Sequence, residues 1–402
     1  MNNSFLYRFK GAILLSTFFI LLTVIWMSCG SPSKNSNPVS AEQQTVLSLN
    51  NPQIKALVPV QEKYTPSLMK QDGVIGTAIG LDTNGKPAIL VLTETDIQSQ
   101  ALAKGRILPI PAKLGNVPTV QFVSGVIRTM QLLKGKPGGG GKPSPGVSHT
   151  AKQSTPIELG TSGGWEYDIA NGYCCSGTLG SLITNGSKLY ILSNFHVLYG
   201  DIESGNNGII AGQQGYTAVI QPGLVDVNCS ASNAQVVANL ISGGGSFTAT
   251  NQDANVDAGI AQIISGMVNT SGAILEIGTI SSSTVDASLN QSVKKSGRTT
   301  GLTTSKVIGL NATVSVSYET ECGGTTAFTK TYSGQIIISN KGSKFLNSGD
   351  SGSLMVENVS NNPRAVGLLF AGSSTAAVAN PINDVLDYYS NKLGGKFTMV
   401  GK

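Results

Sequence analysis

Asn347-Ser348-Gly349-Asp350-Ser351-Gly352-Ser353 is the stretch from which the rest of the chain is read. It sets a serine between glycines, directly after an aspartate. Glycine lets the backbone turn tightly, so two neighbouring N–H groups can point into one small space. There the N–H groups of Gly349 and Ser351 are expected to hold the negative oxygen of a tetrahedral intermediate, with Ser351 as the nucleophile. A Gly/Ser loop is the plain alternative, because the chain has 49 glycines. The stretch gains weight only if a base, and a group to orient it, lie upstream.

Both are present. Leu189 to Leu198 (LYILSNFHVL) is an apolar run that ends in a histidine, a strand carrying an imidazole to the edge of a cleft. The chain has two histidines, and His149 sits in a Gly/Pro/Ser linker. His196 is therefore the expected general base. Asp257, in Asn255-Val256-Asp257-Ala258-Gly259, sits among small apolar residues; a carboxylate buried there needs a partner. Taken singly, His196 reads as a core histidine and Asp257 as a turn aspartate. Taken together, the order His196, Asp257, Ser351 is that of one class of Ser-His-Asp triads.

GTLGSLI (177–183), LYILSNFHVL (189–198), IQPGLVD (220–226), NVDAGIAQI (255–263), KKSGRTTGLTT (294–304), GDSGSLMV (349–356) and AVGLLFAG (365–372) follow one another along the chain. In this the chain resembles the bacterial trypsin-like serine proteases related to plant NARROW LEAF proteins, from about Gly73 to its C-terminal helix. The resemblance implies an all-β fold, a double β-barrel with the triad across the cleft between barrels. It also implies hydrolysis of a peptide or protein substrate through an acyl-enzyme. Phe195 departs from it, since a second Asn more often precedes the histidine. By the same comparison the specificity pocket has its floor near Phe345 and a wall from Gly367, Phe370 and Gly372. With no acidic residue among them, an apolar or small side chain before the cut is expected. Two other readings use the same residues: a peptide-binding module without turnover, and a serine esterase.

Residues 1–28 read as a lipoprotein signal: Arg8 and Lys10 precede an apolar run, and Ser28-Cys29-Gly30 follows it. Cys29 is then the lipidated N-terminus, the membrane is a partner through that lipid, and the rest is exported, periplasmic or cell-surface. An uncleaved signal anchor is the alternative. Residues 29–44 suit a disordered tether. Residues 45–133 read as a small α+β domain, with a hairpin at Asn84-Gly85 and a short helix over 95–104. Residues 134–149 (KGKPGGGGKPSPGVSH) form a Gly/Pro/Lys-rich linker, which lacks the Lys-Ser/Thr and helix of a phosphate loop. Residues 150–402 are the protease domain, closed by a helix near Asp384–Asn391. The net charge of +5 is small and includes the signal segment, so no nucleic-acid partner is expected.

Cys174, Cys175, Cys229 and Cys322 suggest two disulfides in an exported domain. Adjacent residues cannot reach relaxed disulfide geometry. One of Cys174 and Cys175 is therefore expected to reach Cys229 and the other Cys322, in either assignment. Zinc-type spacing is absent, and neither a metal nor a cofactor is expected. Asp350 needs a partner to keep the serine turn in shape. An α-amine freed by a cut looks closed as a route, since Lys136 and Lys142 precede prolines. That leaves backbone N–H groups, Lys294, Lys295 or Arg298. Arg298 is favoured for its bidentate fork, and the domain is expected to be active without an internal cut.

Overall fold

A computed structural model describes residues 46–97, 109–133, 147–200, 211–247, 254–319, 322 and 326–402. The signal, Cys29, the tether, most of the expected helix over 95–104 and nearly all of the linker lie outside the described residues.

Residues 46–133 open with a short helical turn, Pro52–Lys55, and then a helix, Val58–Leu68, that the sequence did not announce because Pro59 and Pro66 interrupt its pattern. Strands β1 (Val74–Leu81) and β2 (Pro87–Thr93) follow as the expected hairpin. Asp82 Oδ1 closes its turn by accepting from Asn84 N at 2.8 Å and Lys86 N at 2.9 Å, and Gly85 takes φ +75°. Then come β3 (Lys113–Leu114), β4 (Val117–Val123), β5 (Arg128–Thr129) and β6 (Leu132–Leu133).

The next strands are β7 (Thr161–Trp165), β8 (Cys175–Leu179), β9 (Ser181–Thr184), β10 (Leu189–Ser193), β11 (Ala218–Gln221), β12 (Gln235–Gly245) and β13 (Gly259–Ile263). β8 and β9 are two arms of one strand bent at Gly180. β8 pairs with β7 and β9 with β10, and the ring closes through β13, β12 and β11 back to β7. This is the first antiparallel barrel. Pleating sends successive side chains to opposite faces. Ile191 of β10 therefore enters one apolar cluster while Tyr190 and Leu192 enter another. Both faces of this strand are buried, which is why LYIL reads as an unbroken apolar run.

After the short hairpin β14 (Ala273–Ile274) and β15 (Gly278–Thr279) come β16 (Ser292–Gly297), β17 (Gly301–Glu319), β18 (Thr326–Ser339), β19 (Leu354–Glu357), β20 (Ala365–Gly372) and β21 (Ala376–Pro381). They close a second ring in the order β16-β19-β20-β21-β18-β17 and back to β16. The expected closing helix spans Ile382–Leu393 and packs Ile382, Val385, Leu386 and Tyr389 against the second cluster, before β22 (Thr398–Met399) joins β9.

The all-β double barrel is thus present, but residues 46–133 are not a separate α+β domain. Residues 46–402 form one compact unit. β1 lies antiparallel on β17, with Gly76 opposite Val314 and Ile79 opposite Leu310, so β1, β2 and β4 extend the second barrel's sheet. A lone hairpin is marginal in water, and pairing along a long strand of the barrel removes that weakness. His149 is likewise no solvated linker residue: it is buried, with Nδ1 2.7 Å from Gly160 O and Nε2 2.6 Å from Glu276 Oε2.

Candidate active site

The serine turn is held by glycines at two places. Gly349 and Gly352 have φ of +99° and +91°, a region where a Cβ is strained. A Cβ on Gly352 would also lie 2.2 Å from Thr178 O and from Ser193 Oγ. Gly180 is glycine for the same close approach, since its Cβ would meet Gly352 O at 2.0 Å. Thr178 N further donates to Ser351 O at 2.8 Å. The first barrel's bent strand therefore grips the second barrel's serine turn, and Ser193 places His196 three residues beyond that grip.

His196 and Asp257 meet where they are both buried, His196 from the first barrel's helical turn after β10 and Asp257 just before β13. The ring Nδ1 lies 2.7 Å from Asp257 Oδ2, to which its N–H donates. Nε2 is buried without a hydrogen-bond partner among the described residues. Asp257 is further fixed by Tyr318 of β17, whose hydroxyl donates to Oδ2 at 2.6 Å, and by Asn194 Nδ2, which donates to the Asp257 carbonyl at 2.8 Å. Burial and the neighbouring carboxylate push the Tyr318 phenol well above its ordinary value, so it stays a donor. Phe195 packs between Tyr199 and Phe247, filling apolar space where a polar neighbour was the alternative.

Ser351 Oγ is not on His196. It donates to Phe370 O at 3.1 Å and accepts from Met130 N at 3.1 Å. Met130 belongs to a segment lying in the cleft. Arg128 and Thr129 pair antiparallel with Gly372 and Ala371, Met130 N also reaches Phe370 O at 3.3 Å, and Met130 O accepts from Gly349 N at 2.5 Å. Of the two expected oxyanion donors, Gly349 is thus engaged.

Asp350 is wholly buried and satisfied from within, though not by Arg298. Oδ1 accepts from Thr299 N at 2.9 Å and Thr300 N at 3.1 Å, and Oδ2 from Asn347 N at 2.9 Å and Thr300 Oγ1 at 2.7 Å. Its cation is Lys295, whose Nζ lies 3.3 Å from Oδ2. Burial draws the Lys295 ammonium below its ordinary pKa, and Asp350 opposes that shift. Arg298 instead forks onto Asp226 across the barrels, Nε donating to Oδ2 at 3.0 Å and Nη2 to Oδ1. Lys294 points the other way, to Val359 O at 2.8 Å. The Lys294-Lys295 pair is legible in the sequence, but which of two adjacent strand residues faces inward depends on register.

The pocket is partly as expected. Phe345 is buried beside Leu346, and Gly372 opens toward both the Leu346 and Met130 side chains. Gly367 is not a wall, because a Cβ there would point at Met355, Ala379 and Asn380 O inside the barrel. Phe370 turns its ring to Tyr332 and offers the cleft only its carbonyl. The four cysteines form Cys174–Cys229 and Cys175–Cys322, which resolves the open assignment.

The ladders define an all-β double barrel of trypsin-like fold, with His196, Asp257 and Ser351 contributed from its two halves. A family model described as the Nal1 C-terminal domain matches residues 231–380, which hold Asp257 and Ser351 but not His196. Similar solved structures include one described as "A glutamic acid specific serine protease utilizes a novel histidine triad in substrate binding", at 17% identity and TM-score 0.38, covering 60% of this chain and 100% of that one. Thermobifida fusca Protease A is similar at 18% identity and TM-score 0.36, covering 61% of this chain and 99% of that chain. "Alpha-lytic protease homolog N4" follows at 15% and 0.35, with 60% and 98% covered. No curated protein matches. Values this low carry no weight for the reaction, and the double barrel rests on its own ladders.

Proposed function

We propose that this chain is a serine endopeptidase in which Ser351, His196 and Asp257 act as one triad. The observation that carries the reading is the buried His196–Asp257 pair at 2.7 Å with Nε2 left unpartnered among the described residues. A buried imidazole nitrogen without a partner is costly unless it serves something. Here it is poised to take the Ser351 hydroxyl proton once that hydroxyl turns from Phe370 O. Asp257 holds the tautomer and stabilises the imidazolium, and Gly349 N–H supports the oxyanion.

The test is labelling of the full chain by a serine-reactive fluorophosphonate, with Ser351→Ala as the control. Labelling lost in that variant, together with cleavage of a peptide library, supports the reading. No labelling and no peptide cut, within the chain or in trans, leaves a peptide-binding module. Ester hydrolysis alone leaves an esterase.

Export and lipidation of Cys29 are part of the same proposal, supported by the residue pattern of 1–30 and by two disulfides, which persist in oxidising compartments. Cys29→Ser is expected to change the mature mass and the detergent partitioning; unchanged partitioning favours a signal anchor.

A further inference from the structure

We infer that the Met130–Gln131 peptide bond is a substrate of this chain's own site, cut in cis, and that Met130 marks the pocket as one for a long, flexible apolar side chain. The inference rests on the endopeptidase reading above.

The contacts that Arg128 to Met130 make with β20 and with the serine turn are ones that a bound substrate strand makes. Arg128 and Thr129 add to the edge of β20 as an antiparallel strand, opposite Gly372 and Ala371. Met130 N–H continues that ladder to Phe370 O at 3.3 Å. Its carbonyl oxygen sits on Gly349 N–H at 2.5 Å, the donor expected at a developing oxyanion. Ser351 Oγ lies 3.1 Å from Met130 N, on the residue whose carbonyl it would attack. The Met130 side chain enters the space left by the absent Gly372 Cβ, with Cε 3.3 Å from that position and Leu346 Cδ2 3.1 Å from it. Beyond Gln131, Leu132 and Leu133 pair with Ser176 and Cys175 of the first barrel. The segment therefore crosses from one barrel to the other, with one peptide bond presented at the nucleophile.

A loop that merely covered the cleft would not need its carbonyl on the turn's N–H. The covering is also anchored upstream. Ser124 O accepts from Thr375 Oγ1 at 2.8 Å and from Ser373 Oγ, and Ser317 N donates to Ile127 O at 2.9 Å.

The step balances within the site. Ser351 Oγ–H passes its proton to His196 Nε2 as Oγ bonds to the Met130 carbonyl carbon. The carbonyl oxygen carries the negative charge on Gly349 N–H. On collapse the C–N bond to Gln131 breaks, and His196 gives its proton to the Gln131 nitrogen. Water, deprotonated by His196, then displaces Ser351 and leaves Met130 as a carboxylate. The half ending in Met130 stays tied to the barrel through β1 and β5, while the half beginning at Gln131 is held in the cleft by the β6–β8 pairing. Release of that half opens the leaving-group side of the cleft to other peptides.

The experiment is intact-mass measurement on the purified full chain over time, denatured to separate fragments, beside Ser351→Ala and Met130→Asp checked for fold by circular dichroism. Wild type is expected to yield two fragments meeting at Met130 and Gln131, at a rate unchanged on hundredfold dilution. Ser351→Ala is expected to stay whole. Met130→Asp, which sets a carboxylate in an apolar pocket, is expected to cut at least about tenfold more slowly. It should also raise fluorophosphonate labelling of the uncut chain, because the segment leaves the cleft. A decapeptide of residues 125–134 is expected to be cut at the same bond in trans. Wild type that cleaves other peptides yet stays whole, or is cut at a different bond, overturns this inference and spares the endopeptidase reading. Cutting that slows on dilution, or an unchanged rate in Met130→Asp, overturns it as well. No labelling and no cleavage of any peptide overturns both.

Discussion

Tyr318 of the second barrel and His196 of the first donate to the same oxygen, Asp257 Oδ2, at 2.6 and 2.7 Å. The Asp257 carboxylate is thus held from both barrels, and Tyr332 backs Tyr318 with its hydroxyl 2.5 Å away. Both phenols are pushed well above their ordinary pKa, mainly by burial, so neither loses its proton in the working range. Tyr318→Phe is expected to lower kcat/KM by roughly tenfold, the worth of about one hydrogen bond to a charged group. Tyr332→Phe should cost less, because it touches Asp257 only through Tyr318. Equal effects from the two would place the role in packing.

His196→Ala and Ser351→Ala are each expected to lower turnover by about a thousandfold or more, and the double variant should be little worse than either. Steady-state kinetics on one peptide decides this. Losses that multiply would mean the two residues do not share a step.

Lys295 and Asp350 are a fully buried ion pair behind the serine turn. Lys295→Met leaves Asp350 without its cation and is expected to reduce unfolding free energy by about 3–5 kcal/mol. Turnover should fall with it, as read by denaturant unfolding and kinetics on the folded fraction.

The same pair sets an alkaline limit. Burial lowers the folded-state pKa of Lys295 below the ordinary 10.5, which the unfolded chain retains. Between the two values the unfolded chain binds more protons, so this group's contribution to stability rises with pH. Activity should nevertheless fall there, since neutral Lys295 no longer holds Asp350. The expected result is an alkaline limb in kcat/KM starting below pH 10.5 while circular dichroism stays native. Activity that is flat to that pH removes Lys295 from the role.

Cys175–Cys322 ties β8 to a cysteine that follows β17 in the chain, with a sequence separation of 147 residues. Replacing both cysteines by serine is expected to cost roughly 2–5 kcal/mol of stability. Substitution of Cys174 and Cys229, separated by 55 residues within the first barrel, should cost somewhat less. Thermal unfolding of the two double variants compares them.

The triad candidates were legible because their residue types are rare or costly where they stand. Two histidines leave little choice of base, an aspartate among Ala, Gly and Val needs a partner, and GDSG can form one tight turn. The barrels were legible through short apolar runs and the order of family-like segments. Helix Val58–Leu68 was hidden by its prolines. The merging of residues 46–133 into the second barrel was hidden because β1 reads the same whether it pairs locally or with a strand over 200 residues away.

Sequence alone determined which side chains could carry acyl-transfer chemistry, since that follows from residue type and local spacing. Only the tertiary structure decided that Lys295 rather than Arg298 serves Asp350, that Tyr318 completes the Asp257 cluster, and that Met130 lies at the nucleophile. Each of these depends on strand register and on long-range pairing. A shift of one residue turns a side chain to the other face, and composition and spacing do not encode which face meets which partner.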